Sequence, residues 1–319
     1  SEGILAQSIG GGGGTGGSVE QATVAIGGGA LENLLTRVGV NASTANGGKG
    51  GKVTVVNKKD AEILTKSADS AAIVAQSISG GGGKGGNATG TLALGGFGSL
   101  AGESGEVTVT NEANLWTEGT NSAGIIAQSI GGGGGIGGHS SGTLTMGGFA
   151  STGGASGVVT VNNHGQIQTM NTDSTAILAQ SIAGGGGLGG GASGSVAIGG
   201  FGGQGANSDK VNVTNTGNLF TQAKNASAIV AQSISGGGGK GGSSDGGVVT
   251  EKDGTTTIES AYVAVGGNGA NAGTAGQVNV INTAKLIQTE DDQSKGIVAQ
   301  SIAGGGGMGG EANGIDITQ

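Results

Sequence analysis

The tetrapeptide Ala-Gln-Ser-Ile recurs six times in this chain, and each copy is followed within two residues by a run of glycines. Neighbouring copies are 69, 52, 52, 52 and 68 residues apart. A fixed period of this size is typical of an array in which each unit buries its apolar face against the next. The sequence therefore predicts a single repeat array over residues 1–319, with units anchored at Ala6, Ala75, Ala127, Ala179, Ala231 and Ala299.

The two longer spacings locate insertions near residues 29–52 and 243–261. Within the first insertion, residues 30–38 form the only segment with a helical composition. Arrays of this kind usually carry their variable features in such connections. The chain opens and closes inside a unit, and neither end shows an atypical capping unit, so we expect it to be a slice of a longer array.

Glycine accounts for 80 of the 319 residues and aromatic residues for only 2%, so a core of large aromatic and aliphatic side chains is not expected. Such a glycine content would ordinarily indicate disorder, but here the apolar residues hold regular positions, which a flexible linker does not require. Proline is absent, as expected for long ladders of paired backbone. We therefore interpret the glycines as part of the folded structure.

A Val-x-Val pair lies upstream of the glycine runs in five units, and an asparagine follows two residues after the second valine. Alternation of period two places both valines on one face of a strand and the intervening Thr or Asn on the other. Stacked asparagines at a turn can bond amide to amide, so we expect an asparagine ladder. The ladder positions are Val107, Val109, Asn111, Val159, Val161, Asn163, Val211, Val213 and Asn215.

The Ala-Gln-Ser-Ile strand is apolar on both faces, which is typical of a strand covered on both sides. We expect the glycine run that follows to cover its second face, since a chain without side chains can lie closely against a sheet. The stacked polar positions of this strand are Gln128, Ser129, Gln180 and Gln232.

These patterns predict an all-β fold, a repetitive β-solenoid or β-helix with polyglycine segments and about four short strands per unit. One unit could form one large coil or two coils of about 25 residues each, and the second alternative fits the usual coil length slightly better.

Composition excludes several classes of function. The net charge of −8 and the lack of any Lys/Arg cluster disfavour nucleic acid as a partner. No apolar run approaches the roughly 18 residues of a membrane span, so no transmembrane segment is predicted here. The chain has no cysteine, which excludes disulfides and thiolate metal sites.

No motif predicts catalysis, a cofactor or a metal. Glycine runs that contain Lys84 and Lys240 resemble part of a phosphate-binding loop, but the Ser/Thr that should follow is missing. No unit has the recurring Gly-Gly-x-Gly-x-Asp of calcium-binding repeats, and His139 and His164 lack partners at metal-ligand spacing. The acids fall in variable turns and no pair of them recurs, so we expect no enzyme activity.

The combination of residues 107–111, 124–130 and 131–138, which is repeated in every unit, resembles the glycine-rich repeats of large bacterial autotransporter adhesins. The Ala-Gln-Ser-Ile block with its glycines is the specific part, whereas Val-Thr-Val-Thr-Asn is common to many β-solenoids. The resemblance implies a passenger region exported through an outer-membrane barrel, although the barrel, linker and signal peptide of that family are not in this sequence. It carries over no catalytic residues.

The expected function is that of an extracellular or cell-surface structural or adhesive rod, or a fibre element of a bacterial surface or biofilm matrix. Self-association, lateral or end to end, and a host-surface or glycan receptor are the expected partners. We also expect the glycine surfaces to pack between rods. The alternative is a ligand-binding module for ice or glycans that uses the outer Thr and Asn ranks.

Overall fold

A computed structural model describes residues 1–26, 45–246, 249–252, 255–258 and 263–314. These residues form an all-β structure of stacked parallel strands, which confirms the predicted β-solenoid. They contain no helix, and hence none that is long and apolar enough to cross a membrane. The segment 30–38, with its helical composition, lies outside the described residues.

Each period forms one coil. Paired residues in successive regular coils are 52 positions apart, as in Val107 with Val159 and Gln128 with Gln180. The alternative of two smaller coils per period is therefore wrong, because two coils would pair residues about half a period apart. The reference coil used below comprises residues 107–158.

Three sheets enclose the main core, and each coil contributes one strand to each. The Val strands are Val53–Asn57, Val107–Asn111, Val159–Asn163, Val211–Asn215 and Val278–Asn282. The short strands are Glu62–Thr65, Asn114–Thr117, Ile167–Thr169, Leu219–Thr221 and Ile287–Thr289. The Gln strands are Ile4–Ile9, Ile73–Ile78, Ile125–Ile130, Ile177–Ile182, Ile229–Ile234 and Ile297–Ile302.

A fourth sheet is formed by the tip strands, which lie between the two glycine-rich segments of each coil. Their bounds are Val19–Ile26, Ala88–Leu94, Ser140–Met146, Ala192–Ile198, Ser244–Gly246, Val263–Val265 and Ala312–Asn313. In the reference coil the strand pairs with its neighbours on both sides of Thr143 but not at it, and Gly142 has φ of 154°. A glycine is required there, since a side chain at this φ is strained.

The main core consists of the inner faces of the Val, short and Gln strands. Val107, Val109, Leu115, Ile125 and Ala127 of the reference coil are all fully buried and belong to one cluster. The same positions repeat in the coils above and below, so the core is a set of aliphatic stacks along the axis. Each fully buried Val or Ile contributes about 1.5–3 kcal/mol of hydrophobic stabilisation.

The second insertion divides a tip strand. Ser244–Gly246 pairs with the first half of Ala192–Ile198, and Val263–Val265 pairs with the second half. The insertion therefore interrupts the tip strand between Gly246 and Val263. Within the insertion, Val249–Lys252 and Thr255–Ile258 form an antiparallel pair. The first insertion follows the tip strand Val19–Ile26, and residues 27–44 lie outside the described part of the chain.

Candidate functional site

The polar ladders are the first candidate for a functional feature. The Nδ2 atom of Asn111 donates to Oδ1 of Asn163 at 2.7 Å, and Asn163 donates in the same way to Asn215, also at 2.7 Å. The ladder continues from Asn57 to Asn111 and from Asn215 to Asn282. Because Asn57, Asn111, Asn163 and Asn215 are buried, the bonds among them are made away from water, where an unpaired amide would be costly.

The glutamines form a second ladder on the outer face of the Gln strands. Gln128 donates from Nε2 to Oε1 of Gln180 at 2.6 Å, and Gln180 donates to Gln232 at 2.7 Å. Ile126 and Ile130 flank this ladder on the same face, and all of these side chains are half-buried.

The glycine segments contact the inner face of the Gln strand, not the outer one. The Ser129 hydroxyl lies 2.8 Å from that of Ser104, donates to the carbonyl of Gly105, and accepts from the amide of Gly157. The expectation that glycines cover the Gln128 face is therefore wrong. The cause is the position of the serine, which shares the inner face with Ile125 and Ala127 and carries the only polar group there that can bond to the neighbouring backbone.

We call the two glycine segments and the tip strand between them the glycine arm; in the reference coil it spans residues 131–158. In the first segment, the amides of Gly134 and Gly137 donate to the equivalent segment of the next coil, and the amide of Gly131 donates to Ile182 at the end of that coil's Gln strand. The intervening amides of Gly132 and Gly138 donate to the second segment of the preceding coil. A repeat of three matches the three residues per turn of a polyproline II-type backbone.

The second glycine segment of each coil lies against the first and is hydrogen-bonded to it. The amides of Gly148, Ser151 and Gly154 donate to carbonyls of the first segment in the same coil, at 2.7–3.1 Å. The bonds between the segments continue from coil to coil, from Gly184 to Gly154 and from Gly154 to Gly132. The arm is thus a double layer of glycine segments, and backbone hydrogen bonds join the layers.

Glycine is required at positions that face the equivalent segment of the preceding coil in the same layer. A Cβ atom on Gly132 would overlap the carbonyl oxygen of Gly80, and one on Gly184 would overlap that of Gly132. By contrast, a Cβ atom on Gly133 would meet nothing within 4 Å. The next outward position accepts unlike side chains, namely Thr15, Lys84, Ile136, Leu188, Lys240 and Met308. This variation argues against a phosphate-clamping role for Lys84 and Lys240, since a clamp would not be interchangeable with Leu or Met.

Outward positions of the second segment carry two exposed ion pairs between the coil that ends at Lys52 and the coil that ends at Glu106. Lys49 pairs with Glu103 and Lys52 with Glu106, each at 3.0 Å between nitrogen and oxygen. The Lys52 ammonium and the Thr108 hydroxyl both donate to the Glu106 carboxylate, and they hold its pKa below the usual range. Exposed pairs of this kind contribute about 0–1 kcal/mol each.

The turn before each Gln strand stacks acids and amides alternately. Asp69, Asn121, Asp173 and Asn225 adopt left-handed φ values of 50–60°, which Asn and Asp tolerate better than most residues. Asn121 donates to Asp69 at 2.7 Å and Asn225 donates to Asp173 at 3.2 Å. The carboxylates are thereby separated by an amide, so no two like charges stack directly.

One stack was missed by sequence reasoning. Phe97, Phe149 and Phe201 stack at the start of the second glycine segment, with ring centroids 4.9 and 4.8 Å apart and ring planes within 8° of parallel. Their spacing of 52 residues would have revealed this stack. Because each ring covers the face of the next, the stack offers mainly ring edges, whereas a sugar-binding platform needs open ring faces.

The remaining candidate residues are not brought together. Nδ1 of His139 accepts the amide of Gly191 at 3.0 Å, and Nδ1 of His164 lies 3.0 Å from the hydroxyl of Thr216. In the part of the chain that the structure describes, no three His, Cys, Asp or Glu side chains are grouped to hold a metal. The arrangement can therefore order and stiffen backbone, and it can present side chains at regular intervals.

The outer ranks of the Val strands are uneven. Thr108, Thr160 and Asn212 are half-buried, whereas Val56 and Ile281 in the neighbouring rank are exposed apolar residues.

Comparison of the chain with models of known families, with curated proteins and with solved structures found no match.

Proposed function

We propose that this chain is a non-catalytic structural rod of an extracellular bacterial surface or matrix, with an adhesive role carried by its outward residues. The observation that supports this most is the continuity of bonding from coil to coil. Backbone pairing, the Asn ladder, the Gln ladder and the double glycine layer each run through several successive coils. Stretching along the axis would therefore load many bonds at once.

The outward positions support the adhesive part of the proposal. They vary from coil to coil while the inward positions are nearly invariant, and the second insertion leaves the solenoid at the tip of the glycine arm. Recognition of a host surface or a glycan then belongs to these variable positions, since connections on a rigid scaffold are where binding residues concentrate. The mixed outer Thr and Asn ranks give no comparable support to the ice-binding alternative.

Single-molecule stretching of the chain between tags at its ends tests the mechanical part of this proposal. A rod of cooperative coils unfolds in steps of one 52-residue coil, or about 17–19 nm at full extension. A featureless, low-force extension would contradict a mechanical role. Antibody labelling of intact producing cells tests the location, and labelling only after permeabilisation would contradict surface display.

A further inference from the structure

The tip of the glycine arm exposes an apolar surface to which the ladders assign no role. We call this surface the tip patch. It consists of the outward residues of the tip strands together with the phenylalanine stack: Leu92, Leu144, Val196 and Val263; Leu94, Met146, Ile198 and Val265; and Phe97, Phe149 and Phe201. Leu92 is 44% exposed, Leu144 46% and Phe201 44%. Exposed apolar surfaces that repeat in this way are often interaction sites.

We propose that the tip patch is a lateral interface, and that its partner is a second copy of this chain related by a two-fold axis. The proposal rests on the rod proposed above and names where rods would meet. We place the contact at the tip patch and not at the glycine surfaces, because the inward glycine positions bond to each other inside the arm.

Charge favours a second copy at this position. The chain carries a net charge of −8, so two copies repel each other over most of their surfaces. The segments 87–100, 139–152 and 191–204 contain no Asp, Glu, Lys or Arg. Over these three coils the tip patch is thus a band along which two acidic rods can approach without placing like charges together, whereas the fourth coil carries Asp245 in its tip strand.

Spacing also favours a second copy. The ranks of the patch repeat at the spacing of stacked strands, which the phenylalanine centroids give as 4.8–4.9 Å. Another array of this chain presents ridges at the same interval, so side chains of one copy can sit between those of the other along the whole contact. A self-complementary patch is what a two-fold interface requires.

The size of the patch predicts a weak interface in an array of this length. Four stacked strands span about 20 Å along the axis, and three ranks span roughly 15–20 Å across, which gives on the order of 300–400 Å² per copy. A stable dimer buries about 800 Å² per partner. The contact would then strengthen with the number of coils, as repeated weak contacts do.

Analytical ultracentrifugation over a range from micromolar to millimolar concentrations tests the interface. The test variant is Leu92→Ser with Leu144→Ser, and the matched control is Ile136→Ser with Leu188→Ser on the opposite layer, at 40% and 50% exposure. We expect reversible dimers of the unmodified chain, at least tenfold weaker dimerisation of the test variant, and a control within twofold. Small-angle scattering of the dimer should show a wider cross-section with unchanged length.

Several outcomes would overturn the proposal. These are a monomer at every concentration, equal weakening by both variants, or dimers that the test variant leaves intact. Binding to neutral phosphatidylcholine vesicles that only the test variant loses, without self-association, would assign the patch to a lipid surface instead. Circular dichroism and thermal unfolding of each variant separate these outcomes from unfolding of the rod. An unmodified chain that does not fold as a stable rod would contradict the proposed function, whereas a folded rod that does not dimerise would contradict only this interface.

Discussion

At the scale of single residues, the close approach of neighbouring backbone segments explains the glycines of the arm better than backbone conformation does. Among the glycines that the structure describes, only Gly142 has φ in the left-handed region. Gly132 and its equivalents have backbone carbonyls where a side chain would begin, whereas Gly133 faces open space. Neighbouring glycines in one run therefore differ in what they tolerate.

Gly132→Ala and Gly133→Ala form a matched pair for this difference. We expect Gly132→Ala to lower the free energy of unfolding by about 1–3 kcal/mol, because the stacked coils must move apart at Gly80 to admit the methyl group. Gly133→Ala should be neutral or stabilising by up to about 1 kcal/mol, since alanine restricts the unfolded chain. Chemical denaturation of both variants measures the contrast, and equal losses would rule out the inward and outward assignment.

The turn that stacks Asp69, Asn121, Asp173 and Asn225 shows how stacking also limits which charged residues a position tolerates. A residue that stacks on its own copy every 52 positions meets its own charge at the distance of one strand spacing. Asn121 and Asn225 each bond to an acid of the neighbouring coil, so the carboxylates are two coils apart and repel each other less. The six non-glycine residues with positive φ are Asp69, Asn121, Asp173, Asn225, Asp291 and Gln293 among the described positions.

At the scale of elements, the Asn ladder joins each Val strand to the turn that follows it. Asn163 accepts from Asn111, donates to Asn215 and donates to the carbonyl of Gly165. We expect Asn163→Ala to cost about 2 kcal/mol or more, because it leaves buried polar groups of both neighbours with a bond unmade. Asn162→Ala, at the outward neighbouring position, should cost less than about 0.5 kcal/mol.

Thermal unfolding of the two asparagine variants decides between a ladder and a merely tolerated polar residue. Equal small losses would mean that the amide bonds contribute nothing net. A large loss for Asn162→Ala would contradict the assignment of strand faces, which places Asn162 outward and Asn163 inward.

The Lys52–Glu106 pair gives a prediction with a defined dependence on pH. The pKa of Glu106 is lowered in the folded chain, so its contribution is complete above the pKa of the unfolded state and is lost as pH falls through the lowered value. Glu106→Gln should therefore reduce the melting temperature slightly at neutral pH, by the equivalent of less than about 1 kcal/mol, because solvent screens this exposed pair. Below the lowered pKa the two melting curves should converge, and a gap that widens on acidification would contradict the ion pair.

Side-chain patterns explain what could be predicted from the sequence. Valines at alternate positions predict a strand with one buried face. In the structure Val107, Val109, Val159 and Val161 are indeed fully buried. The double layer of the arm could not be derived in this way, because its bonds join backbone to backbone, and the 52-residue period of Phe97, Phe149 and Phe201 does not show which glycine segments pair. The number of coils per period could not be decided from the sequence either, because it depends on which strands pair, and the strands that pair are 52 residues apart.

At the scale of the whole molecule, one coil per period predicts which deletions the chain survives. Removing residues 127–178 joins Ile126 to Ala179 and takes out one complete coil, so every remaining strand keeps its register. We expect a folded array with reduced stability, since repeat arrays lose roughly one unit and one interface at a time. Circular dichroism and denaturant unfolding measure both properties.

Removing only residues 127–152 is the control for this deletion. It would join the Gln strand to the second glycine segment and place unlike segments above one another. We expect this chain not to fold cooperatively. A half-period deletion as stable as the full-period deletion would instead support two coils per period.

Hydrogen exchange of the glycine amides, resolved by NMR, tests most directly whether the glycine runs are an ordered layer of the solenoid. We predict that the amides of Gly132, Gly134, Gly137 and Gly138 exchange as slowly as those of the Val strands, because each donates to a backbone carbonyl. The amide of Gly133, which donates to none of the described residues, should exchange fast. Rapid exchange throughout residues 131–138, at the rate of an unstructured linker, would contradict the double glycine layer.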